Sequence, residues 1–74
     1  MIVINCALKQ NDIIDIVEKI EIENEKVFKF VKKQGIKLFF ESTYKDDEKA
    51  CSTIKSTIKS APFGSALFFN VLSE

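Results

Sequence analysis

Arginine, histidine and tryptophan are absent from the 74-residue chain, glycine occurs twice and proline once. Without histidine, a serine, threonine or cysteine nucleophile lacks its usual base, and the commonest metal ligand is gone. A lysine would have to be buried to serve as base instead. Without arginine there is no planar guanidinium to grip a phosphate or a base edge through two parallel hydrogen bonds. Gly35 and Gly64 stand alone, without the companion glycine and Lys-Ser/Thr pair of a phosphate-cradling loop.

Cysteine is also scarce. Cys6 is followed by Lys9 where a Cys-x-x-Cys pair would place its second thiol, and Cys51 lies far along the chain. Two such thiols make neither a disulfide framework nor an iron–sulfur site. Cys6 sits between Ile4 and Leu8, and Cys51 shares a helical face with Ile54 and Ile58. Each is expected to be a small buried hydrophobe, since apolar surroundings raise a thiol pKa and suppress its reactivity. Asp46-Asp47-Glu48 fits the first turn of a helix better than a metal cluster, because free N–H groups and the helix dipole favour acids there. Glu21, Glu23 and Glu25 read as a solvated turn. No cofactor, no metal and no catalysis are expected.

Charge of one sign is not in excess: 11 basic and 11 acidic residues give a formal net charge of zero. Duplex nucleic acid and anionic membrane need a clustered positive excess, so nucleic acid is not the expected partner. Lys29, Lys32, Lys33 and Lys37 form the single basic concentration, expected to solubilise an edge strand. The longest uncharged stretch, Ser60 to Ser73, contains Pro62, Gly64 and Asn70 and falls short of the ~20 residues that cross a bilayer. No basic segment precedes Ile2-Val3-Ile4, so no signal peptide is read and a cytoplasmic address is expected.

What remains is enough for one core. The chain is 46% hydrophobic with seven phenylalanines and 30% charged, which suits a single globular domain over residues 1–74. Lysine as the sole basic residue, with abundant isoleucine, phenylalanine and asparagine, reflects an AT-rich genome.

Residues 2–8 place Ile2, Ile4, Cys6 and Leu8 at a period of two and predict a strand. Asn11 is positioned to cap a helix from about Asp12 to Ile20 or Ile22, with Ile13, Ile16, Val17 and Ile20 at helical spacing. Val27 to Val31 and Ile36 to Glu41 suggest a hairpin turning near Gly35. The competing pattern is a helix from Glu25 to Gln34 capped by Asn24, with Lys19 to Glu23 as the strand. Ser42-Thr43 and the acids at 46–48 announce a second helix bearing Ala50, Cys51, Ile54 and Ile58, which Pro62 and Gly64 stop. Residues 66–72 predict a last strand.

Strand, helix, strand, strand, helix, strand is the order of an α+β, ferredoxin-like βαββαβ sandwich: a four-stranded antiparallel sheet with two helices on one face. Alternation assigns Ile2, Ile4, Cys6, Leu8, Phe28, Phe30, Ile36, Leu38, Phe40, Leu67, Phe69 and Val71 to the helix side. The other side receives Val3, Asn5, Ala7, Val27, Lys29, Val31, Lys37, Phe39, Glu41, Ala66, Phe68, Asn70 and Leu72. A surface built on Val3, Asn5, Phe39, Phe68, Asn70 and Leu72 is more apolar than a merely wetted face needs to be. It predicts a non-catalytic protein that associates through this face, with the last strand's edge as an adjunct, either as a homodimer or as a regulatory or adaptor subunit. The alternative use is a small-ligand or single-stranded nucleic-acid binder, with Asn5 and Asn70 as polar readers and Phe39 and Phe68 as stacking surfaces.

Overall fold

The computed structural model describes residues 1–73. The chain is α+β: β1 (Ile2–Asn5), α1 (Gln10–Lys19), β2 (Glu21–Ile22), β3 (Glu25–Lys26), β4 (Phe28–Gln34), β5 (Lys37–Ser42), α2 (Asp47–Ser60), a 3-10 turn (Gly64–Ala66) and β6 (Asn70–Ser73). Four strands form one sheet in the order β4-β5-β1-β6, and β2 and β3 form a separate two-stranded ribbon. All neighbours in the sheet are antiparallel.

The contested stretch is the hairpin, not the helix. Gly35, with φ 61, opens the two-residue loop between Gln34 and Lys37, a position where a side chain would be strained. The alternating Lys19–Glu23 segment contributes a strand as well. Glu21 and Ile22 pair with Lys26 and Glu25 across Glu23 and Asn24, both at positive φ, the signature of a type I′ turn. The strand of the competing pattern is thus present together with the hairpin, and its partner β3 is the part of the ribbon that neither pattern announced.

Several boundaries differ from expectation for local reasons. β1 ends at Asn5, although Cys6 N–H still donates to the Ile36 carbonyl at 2.9 Å. Helix α1 starts at Gln10, with Lys9 rather than Asn11 at its N-cap, in the left-handed region (φ 58). The Gln10 amide fastens this corner by donating to the Cys6 and Gly35 carbonyls, each at 3.0 Å. Helix α2 has the expected acidic entry: the Asp46 carboxylate accepts from Lys49 N–H at 3.1 Å. The last strand is shorter than predicted, because Gly64–Ala66 form the 3-10 turn and pairing begins only at Asn70.

One cluster joins Ile2, Ile4, Cys6, Leu38 and Phe40 of the sheet to Ile13 and Val17 of α1 and Ala50, Ile54 and Ile58 of α2, so both helices cover the same face. Phe30 meets Phe40 edge-on, ring centroids 5.5 Å apart. Three assignments to the faces are corrected. Leu8 and Ile36, expected in the core, are exposed, since Leu8 follows the end of β1 and Ile36 sits in the hairpin turn. Val27, expected outside, is buried in the core just ahead of β4, where its carbonyl accepts from Thr43 N–H at 3.0 Å. Cys51 is half-buried against the cluster.

Candidate functional site

Cross-strand pairing arranges the helix-free face in rows. The middle row is Lys32, Phe39, Val3 and Leu72, one residue from each strand. Beside it run Gln34, Lys37, Asn5 and Asn70, and on the other flank Lys29 faces Glu41. Val3 belongs to none of the helix-side packing, yet only 1% of its surface is accessible. Its side chain is closed off on the open face, where Phe39 and Leu72 are its direct neighbours. Leu72 remains 47% exposed.

Polar groups frame this apolar centre. Asn5 Nδ2 donates to Asn70 Oδ1 at 2.7 Å, tying β1 to β6 through side chains. Lys32 Nζ stands 4.9 Å from the Phe39 ring centroid, a cation–π contact. Lys29, Lys32 and Lys37 against Glu41 give the face a positive bias within a neutral molecule.

Five of the six residues expected to form the surface are therefore neighbours: Val3, Asn5, Phe39, Asn70 and Leu72. Phe68 is not brought in by pairing. It lies between the 3-10 turn and β6 and is 98% exposed, in a segment where Leu67 and Phe69 turn toward the core. Lys32 and Gln34 join the face unannounced. The irregularity between Phe30 and Lys32 inserts Val31 as an extra residue, so the alternation reverses its phase beyond it. Nothing in the local pattern marks a bulge at that position.

Of the remaining chemically capable groups, Cys6 and Asp47 are held by hydrogen bonds. Cys6 is buried and its Sγ donates to the Leu8 carbonyl at 3.1 Å. Burial, and then the nearby Asp47 carboxylate, push the Cys51 thiol above its ordinary pKa, against a smaller opposing effect of the chain's amino terminus. Asp47 accepts from Ser73 Oγ at 2.9 Å. Among the described residues no group of three or more His, Cys, Asp or Glu could hold a metal ion. A depression of about 440 Å³ lies between the ribbon and the segment after β5, bordered by Ile22, Glu23, Glu25 and Tyr44. No helix among the described residues is long and apolar enough to cross a membrane.

Fold and surface together define a small α+β domain with one helix-covered and one open sheet face. No family model, curated protein or solved structure matches the chain.

Proposed function

We propose that the protein is a non-catalytic association module, a regulatory or adaptor subunit whose open sheet face docks another protein chain. The observation behind this is the apolar centre Val3–Phe39–Leu72, contiguous across three strands and free of helix cover. Apolar side chains left open inside a polar rim, as Leu72 is and Phe39 is in part, are what protein contacts use, with the buried Val3 as the floor between them. The lysine bias makes a partner with an acidic rim the better match than the same face of a second copy, where Lys29, Lys32 and Lys37 would meet their own kind. The raised Cys51 pKa and the buried Cys6 agree with a role outside nucleophilic chemistry.

The topology is read as ferredoxin-like on the inner positions of β1 and β5, the edge positions of β4 and β6, and the shared helix face. The β2–β3 ribbon is the departure from the plain six-element plan. A cytoplasmic address belongs to the same proposal.

Lys32 over Phe39 favours one second use, single-stranded nucleic acid stacked on that ring. A gel shift with single-stranded oligonucleotides at rising salt separates the two. Protein docking predicts no shift, whereas a complex that weakens steeply with salt and disappears in Phe39→Ala would establish the second. The direct test of protein docking is photo-crosslinking from position 39, expected to yield a protein adduct.

A further inference from the structure

The two edges of the sheet are finished differently. The β4 edge is guarded by Lys29, Lys32 and Lys33, by the bulge at Val31, and by Glu18 of α1, whose carboxylate accepts from Phe30 N–H at 3.2 Å. These are the devices that keep an edge strand from pairing with another chain. The β6 edge has none of them: Asn70, Val71, Leu72 and Ser73 are uncharged and regular.

Hydrogen-bond alternation says which groups this edge presents. The bond from Cys6 N–H to the Ile36 carbonyl, in register with the Ile4–Leu38 and Ile2–Phe40 pairs, directs the peptide groups of Ile2, Ile4 and Cys6 toward β5. Those of Val3 and Asn5 then face β6 and bond Leu72 and Asn70. The N–H and C=O groups of Val71 and Ser73 consequently point away from the sheet, and no partner for them is found among the described residues.

We infer that this edge pairs with the β6 edge of a second copy, antiparallel across a two-fold axis, with Leu72 opposite Leu72 of the partner subunit. In that register Val71 and Ser73 exchange backbone hydrogen bonds with Ser73 and Val71 of the partner subunit. The two Leu72 side chains form the close, non-hydrogen-bonded pair, and each covers the other's exposed surface. Nothing on the described strand opposes this electrostatically, whereas pairing two β4 edges would bring lysines together. The middle row then runs unbroken through both copies, from Phe39 and Val3 across the Leu72 pair to Val3 and Phe39 of the partner subunit. A strand pair this short buries less than the ~1,200 Å² of a stable interface, so the dimer is a weak, concentration-dependent one. The inference rests on the edge and is independent of what docks on the open face.

Sedimentation velocity from micromolar to millimolar protein tests it, with far-UV circular dichroism to confirm folding. The wild-type chain is expected to pass from monomer to dimer. Leu72→Lys, which sets two ammonium groups opposite each other, and Ser73→Pro, which deletes an outward N–H, are expected to stay monomeric. Phe39→Lys is expected to dimerise as the wild type does. If either edge variant fails to fold, Leu72→Cys serves: mild oxidation should link it into a covalent dimer, while Asn70→Cys and the wild-type chain remain unlinked. A wild-type chain monomeric at millimolar concentration overturns the inference. So does a dimer abolished by Phe39→Lys but not by Leu72→Lys, or a Leu72→Cys chain that does not link.

Discussion

Gly64 admits no side chain because a Cβ there would overlap the Ile58 carbonyl and crowd Lys59 Cα, backbone atoms at the end of α2 that have no room to yield. Gly64→Ala is expected to destabilise the fold by about 1–3 kcal/mol, measured by urea denaturation. Gly35 has open space around it and is needed only for its φ of 61. Glu23 is the opposite case, a non-glycine residue held at φ 56 in the ribbon turn. Glu23→Asn should raise stability by up to about 1 kcal/mol, since asparagine tolerates the left-handed region better. At Cys51 the sign of the pH effect follows from the raised pKa. The unfolded chain loses that proton at lower pH than the folded one, so the stabilisation is complete below the ordinary value of 9.0 and is lost as pH rises through the folded value. Cys51→Ser should show a smaller loss of stability than the wild type between neutral and strongly alkaline pH. Iodoacetamide should modify Cys51 at neutral pH more slowly than a free thiol.

At the scale of elements, what could be read from sequence was what periodicity encodes. The Ile13, Val17 and the Ala50, Ile54, Ile58 spacings gave two helices, and alternation in β1 and β5 gave the correct inward sets Ile2, Ile4 and Leu38, Phe40. Asp46 was legible as an entry signal because its type caps helices; Asp46→Ala should cost about 1 kcal/mol in thermal unfolding. In the ribbon, β3 was hidden because a strand of two residues has no period, and the turn rests on Glu23 at an unfavoured φ. The bulge at Val31 was hidden because nothing local distinguishes an inserted residue from a paired one. Its stabiliser is long-range: Glu18 on α1 holds Phe30 N–H. Glu18→Ala should therefore speed amide exchange at Phe30 severalfold while leaving β1 amides protected.

For the whole molecule, the two faces of one sheet were separable from sequence wherever pairing was regular. Val3, Asn5, Phe39, Asn70 and Leu72 fell together for that reason, and Phe68 fell away because the chain ahead of Asn70 makes a 3-10 turn in place of a strand. The faces should also respond differently to charge. Phe40, fully buried under the helices, should not accept lysine, and Phe40→Lys is expected to unfold the domain. Phe39→Lys should fold, with a melting temperature within a few degrees of the wild type. The claim that the open face is the contact surface is tested most directly in the cells that make the protein, by placing the photoreactive residue benzoylphenylalanine at Phe39 or, as a control, at the exposed Ser52 on α2. Irradiation is predicted to give a discrete protein adduct from position 39 and none from position 52. Equal labelling from both positions, or nuclease-sensitive adducts from position 39, would contradict it.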